Sequence, residues 1–139
     1  MASKSAPLSI RLSPALHEHV EREARMAKRS KGSIVEELAE EALRMRRFPG
    51  IGFRELPPYR RAWVVGTPLD VWEVVKLARG LGPSELSEHF NVSAAQLRVA
   101  LAYYEDHPDE IDDRIAANER PLEELQRLYP EIDTIVIDD

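Results

Sequence analysis

Between Leu8 and Leu43 the chain changes period twice, and nothing else in it restricts the fold as tightly. Leu8, Ile10 and Leu12 alternate with Ser9, Arg11 and Ser13, the two-residue repeat of a strand with one apolar and one wet face. Ser13-Pro14 then reads as a helix cap followed by a first-turn proline. Leu16, Val20, Ala24 and Ala27 recur at helical spacing in a thin stripe. Ser30 to Ser33 caps a second helix, whose stripe of Ile34, Val35, Leu38, Ala39, Ala42 and Leu43 is stronger. One strand and two helices in about forty-five residues are too few to enclose a core. A lone strand also needs a partner and a cover. A two-fold dimer supplies both, with two strands paired antiparallel under four helices.

These residues resemble the ribbon-helix-helix family of DNA-binding proteins. The resemblance covers Leu8 to about Arg44 and lies in Ser9-Ile10-Arg11-Leu12, the helix spacing, and the Ser30-Lys31-Gly32-Ser33 start of the second helix. It implies that Ser9, Arg11 and Ser13 enter the major groove, which admits a two-stranded ribbon. It further implies that backbone N–H groups at Ser30, Lys31, Gly32 and Ser33 hold a phosphate, with Lys31 adding charge. Gly32 stands where this family often carries a hydroxyl or Arg, which weakens a side-chain contact there. Alternation alone would make Ser9, Arg11 and Ser13 the solvated side of an edge strand; the strand-helix-helix order favours DNA.

A net charge of −6 argues against nucleic acid until it is divided along the chain. Met1 to Arg61 carries 13 Lys/Arg against 8 Asp/Glu, a net of +5, and Ala62 to Asp139 carries 6 against 17, a net of −11. Such asymmetry suits a chain with two tasks, with phosphate binding confined to the basic part. There is no Cys, so disulfides and thiolate metal sites are excluded. With no signal-peptide pattern at Met1 to Pro7 and no run of the roughly 20 apolar residues that span a bilayer, a soluble cytoplasmic protein is expected.

Arg44, Arg46 and Arg47 close the second helix, where cations suit the dipole, and Phe48-Pro49-Gly50 breaks it. Ile51 to Leu56 and Arg61 to Val65 read as two short extended pieces around Pro57-Pro58-Tyr59-Arg60, a small hairpin or paired loop. Thr67-Pro68-Leu69-Asp70 reads as the cap of a helix that buries Val71, Val74, Val75 and Ala78 and stops at Gly80. Pro83 to Phe90 is a short helix. Ser93-Ala94-Ala95-Gln96 is a capping box for a longer one ending near His107, with Leu97, Ala100, Leu101 and Tyr104 on one face. Short helix, turn, longer helix is helix-turn-helix geometry. Pro108 restarts a helix towards Asn118, and Pro121 begins another with Leu122, Leu125 and Leu128, before an Ile-Val-rich tail.

From about Arg46 to Ile111 the chain also resembles an uncharacterised bacterial domain, homeodomain-like and helical, that recurs in VapB-type antitoxins of VapBC-like toxin–antitoxin pairs. The residues carrying it are Phe48-Pro49-Gly50-Ile51, Phe53-Arg54, Arg60-Arg61-Ala62, Gly66, Leu69 to Val75, Ala100 to Tyr104, His107, Glu110 and Ile111. The resemblance implies a partner toxin of the PIN-like ribonuclease class. The helix from Ser93 to His107 offers Arg98 as its only cation beside Glu105 and Asp106, which favours protein contact over phosphate.

The expected architecture is therefore mainly α. Residues 1–47 form a ribbon-helix-helix dimerisation and DNA-binding part, residues 48–65 a linker or small hairpin, residues 66–118 a helix-turn-helix-like domain, and residues 119–139 a partner-binding segment. The expected function is a type II antitoxin that represses its own promoter as a homodimer and neutralises the ribonuclease by protein contact. Toxin contacts are placed at Arg120, Leu122, Leu125, Arg127, Leu128 and Tyr129; Arg suits a carboxylate-lined site because its fork pairs two oxygens. No cofactor, metal or catalytic residue is expected. His107, Asp109, Glu110, Asp112 and Asp113 could suggest a metal-dependent nuclease, yet acids in a first helical turn are what the dipole favours. The remaining alternative is a stand-alone ribbon-helix-helix regulator without a toxin.

Overall fold

The computed structural model describes residues 6–128, and of residues 120–126 and 128 the course of the backbone alone. Among the described residues there are six helices and one two-stranded antiparallel sheet, so the chain is mainly helical. Their order is α1 (Pro14–Ala27), α2 (Lys31–Arg47), β1 (Ile51–Arg54), β2 (Arg61–Val64), α3 (Val71–Ala78), α4 (Pro83–Phe90), α5 (Ala94–Asp106) and α6 (Pro108–Leu128).

Local chemistry sets most of these boundaries. Ser13 Oγ accepts from the Leu16 N–H and Ser30 Oγ from the Ser33 N–H, at 3.3 and 3.1 Å, each cap contributing about 1 kcal/mol. Lys28 takes a left-handed conformation (φ 55°) and closes α1 with its N–H on Ala24 and Arg25 carbonyls. Gly50 (φ 105°) then lets the chain leave α2 and turn into β1, a conformation costly for any side chain. The hairpin is regular, pairing Ile51 with Val64 and Phe53 with Ala62. It is no linker: Ile51, Ala62 and Val64 are buried.

Apolar residues collect in two unequal cores. The larger joins the hairpin to α3, α4, α5 and the start of α6 through residues such as Val71, Val74, Leu86, Leu97, Tyr103 and Ile111. Among the described residues the smaller, between α1 and α2, buries Val20, Ala24 and Ile34, with Leu12, Ala27 and Val35 packed half-buried against them. Phe48, at the end of α2, belongs to the larger core and meets Tyr103 edge-on at 5.4 Å between ring centres.

No other described segment pairs with Leu8 to Leu12, whose expected partner is a second copy of the chain. Several expectations need correction. Thr67 does not cap α3. Its buried hydroxyl instead donates to the Val64 carbonyl and accepts from the Leu69 N–H, closing the turn, while Asp70 is the N-cap with Glu73 accepting its backbone N–H at 3.0 Å. On α5 the buried face is Leu97, Ala100 and Tyr103; Leu101 is exposed, because the larger core lies to the other side of the stripe. Pro121 does not begin a new helix: α6 runs unbroken from Pro108 to Leu128, so this proline removes one backbone hydrogen bond without ending the helix. The tail beyond Leu128 lies outside the described residues.

Two polar knots tie the elements together. The Asp70 carboxylate is 4% exposed and accepts from Arg54 Nε (2.9 Å), Arg61 Nε (2.7 Å) and Trp72 Nε1 (3.1 Å). This fixes both strands of the hairpin to α3. Arg44 donates to Tyr103 Oη (2.9 Å), Glu110 (2.8 Å) and Glu40 (2.6 Å), so its main role is to cross-link α2 to α5 and α6 rather than to cap α2. Burial opposes its charge, but Glu110 and Tyr103 hold its pKa above the ordinary value. Arg60 reaches Glu41 and Arg47 reaches Asp106, extending the same seam.

Candidate nucleic-acid interface

The segment before α1 presents alternating chemistry to solvent. Leu8 and Ile10 are 84% and 54% exposed, and Ser9, Arg11 and Ser13 are exposed with them. Leu8, Ile10 and Leu12 line an apolar groove of about 600 Å³ with Val35 and Ala39 of α2. Beyond the groove, apolar residues continue along α2. Val35, Leu38, Ala39, Ala42 and Met45 fall within one arc of the helix, on the side turned away from Glu37, Glu41, Arg44 and Phe48. Leu38, Ala39, Ala42 and Met45 are exposed. Of the stronger stripe read from the sequence, Ile34 is buried in the chain's own core and Val35 packs against it half-buried, while Leu16 of α1 is left 45% exposed.

A single arginine side chain staples the start of α2. Arg29 donates through Nε and Nη2 to Ser33 Oγ at 3.0 and 2.7 Å, through Nη2 to the Ser33 carbonyl, and through Nη1 to Glu37 at 2.8 Å. The Ser33 amide is satisfied by Ser30 Oγ and the Ile34 amide by the Ser30 carbonyl. The Lys31 and Gly32 amides have no acceptor among the described residues, and the space where a Gly32 Cβ would sit is empty. An approaching anion would thus meet two backbone donors and no obstruction. The absent side chain at Gly32 removes a contact but opens the backbone.

These positions group the expected DNA contacts only partly. Ser30, Lys31, Gly32 and Ser33 lie on one turn, where Ser33 Oγ accepts from Arg29, and Ser13 Oγ accepts from the Leu16 amide, so each of these hydroxyls has its O–H left to donate. Ser9 and Arg11 stand apart as exposed residues of the segment before α1. Sequence reasoning misses the Arg29 staple, although its signal is present: Arg29, Ser33 and Glu37 are each four apart, as on consecutive helical turns.

Of the expected toxin contacts, Arg127 is exposed on α6. The side chains of Arg120, Leu122, Leu125 and Leu128, and all of Tyr129, lie outside what the structure describes. Three of the acids near His107 are engaged. Glu110 accepts from Arg44 and Tyr103, Asp112 from Arg79 and Tyr104, and Asp106 lies 3.2 Å from Arg47. Among the described residues no group of His, Asp and Glu is placed to hold a metal ion. No described helix is long and apolar enough to cross a membrane. No protein family, curated protein or solved structure matches this chain.

Proposed function

We propose that the chain is a non-catalytic, DNA-binding antitoxin that acts as a dimer and neutralises a PIN-like ribonuclease through its acidic part. One observation supports the dimer and its nucleic-acid face together. Leu8, Ile10, Leu38, Ala39 and Ala42 make an uncovered apolar surface over a core of three buried residues, and Arg11 alternates with them. Pairing the extended segment with that of a second copy removes this apolar surface from water. It also brings Ser9 and Arg11 of both chains onto one outward ribbon. Because Leu8 and Ile10 point to one side of an extended segment, Arg11 must point to the other. The toxin assignment rests on the sequence resemblance of residues 46–111, and a helix-turn-helix arrangement of α4 and α5 is part of the same reading.

Gel shift on the chain's own promoter tests the DNA assignment. Arg11→Ala should lose about tenfold or more in specific affinity, at ~1–3 kcal/mol for a base-reading contact. Unchanged affinity and salt slope would remove Arg11 from the interface. Deleting residues 121–139 should release ribonuclease activity of the adjacent gene product while the dimer stays on DNA; a still-inhibited toxin would refute the assignment to that segment.

A further inference from the structure

The start of α2 already has an anion of its own chain beside it. Lys31 Nζ lies 3.6 Å from Glu21 Oε1 and 3.5 Å from His17 Nε2, and His17 Nδ1 lies 3.8 Å from the same Glu21 oxygen. The Lys31 side chain therefore leans back across α1 instead of standing over the open amides of its own helix. It lines two cavities at once, the apolar groove and a basic cleft of about 390 Å³ formed with Glu21, Arg25 and Arg29. In that cleft the Arg29 charge is already met by Glu37, whereas Lys31, which opens α2 next to Gly32, sits in an exposed pair that an incoming phosphate could recruit it from.

We propose that Glu21 is an internal competitor for Lys31: it holds the lysine when no phosphate is present and must be displaced when one arrives. The inference rests on the DNA-binding reading and deepens it, assigning to α1 a residue that sets affinity without reading sequence. One feature of the geometry carries it: Glu21 and Lys31 are each about half exposed, at 44% and 52%, so the pair opens at little cost.

The test is a double-mutant cycle read by duplex binding across a salt series. Glu21→Gln should tighten binding by roughly one-and-a-half- to fivefold per protomer, the range for an exposed ion pair, equally on operator and scrambled DNA. It should also steepen the salt dependence, by up to about one unit of slope for each additional phosphate neutralised. In a Lys31→Ala background the same substitution should have no effect on binding. Glu18→Gln, which removes an equal charge on α1 from a pair with Arg22 at 3.7 Å, controls for charge alone. A tightening that persists without Lys31, or is matched by Glu18→Gln, overturns the proposal. Inorganic phosphate, followed by the amide shifts of Gly32 and Ser33, separates this inference from the reading beneath it. Stronger phosphate binding by Glu21→Gln without any duplex binding would sink the DNA reading and keep the competitor. No change in either assay on Glu21→Gln would sink the competitor alone, and absence of duplex binding by the wild type would sink the DNA reading.

Discussion

Replacing Asp70 with Ala tests how much of the fold hangs on a single carboxylate. Its two oxygens accept from Arg54, Arg61 and Trp72 while the side chain is 4% exposed. Removing one member of a buried ion pair costs about 3–5 kcal/mol, because the remaining charge keeps its burial and loses its counter-ion. Both arginines keep some access to water, at 30% and 29% exposure. Arg54 also retains the Pro68 carbonyl at 3.0 Å, and Arg61 retains Glu55 at 3.6 Å. The lower end of the range therefore applies, about 3 kcal/mol, or about 6–12 °C in Tm at this chain length. Asp112 supplies the contrast. It too accepts from an arginine and an aromatic hydroxyl, Arg79 and Tyr104, but it and Arg79 are half exposed. Asp112→Ala should leave stability unchanged within error. Urea unfolding, followed by circular dichroism and by tryptophan fluorescence, measures both variants. The fluorescence reports locally, since Trp72 loses its indole hydrogen bond and Trp63 lies under Arg54. A loss below about 1 kcal/mol for Asp70→Ala, or one no larger than for Asp112→Ala, would refute the argument from burial.

Ile10→Asp should leave the chain monomeric in sedimentation velocity while most of its helical signal remains, because the larger core contains nothing before Phe48; a dimer of wild-type strength would refute the proposed interface. Ile34→Ala empties the centre of the smaller core and should cost about 2–5 kcal/mol in urea unfolding, the usual range for such truncations. Tyr103→Phe should cost about 1 kcal/mol near neutrality and change the alkaline limb. Burial, then the Glu110 hydrogen bond, raise the phenol above its ordinary value, so the folded protein keeps a proton that the unfolded chain gives up. That contribution is whole below the ordinary tyrosine value and lost as pH rises through the raised one. Urea midpoints between about pH 8 and about pH 11 should accordingly fall less steeply in Tyr103→Phe than in the wild type.

What is legible in the chain is the chemistry that acts within four residues. Ser13, Ser30 and Ser93 are caps because a hydroxyl can reach an amide two or three positions on, and Asn91 turns left-handed between α4 and α5. Thr67 shows where the same rule fails. Thr-Pro followed by an acid satisfies it locally, but the chain makes a further turn before Asp70 starts α3, and Arg54 and Arg61, sixteen and nine residues away, decide where Asp70 sits. The helical stripe picks out Tyr104, whereas the ring that is buried is Tyr103, which Arg44 bonds from fifty-nine residues away. Arg29, Ser33 and Glu37 form the intermediate case, regular in spacing yet without apolar content to draw notice. In the candidate interface the exposed pattern of Ser9 and Arg11 is legible, whereas the bonds that the Ser13 and Ser33 hydroxyls accept depend on where neighbouring groups point.

Helix α2 is one continuous rod of seventeen residues whose two ends belong to different structures. Its last two turns are held by Arg44, Arg60 and Phe48 to the large core, while its first turns rest on Ile34 and the Arg29 staple. Backbone openings that admit water need break little at the Lys31 end and nearly everything at the Arg47 end. A gradient of unfolding free energy is thus written along a single rod, and an isolated chain frays from its front inward and halts near Glu40.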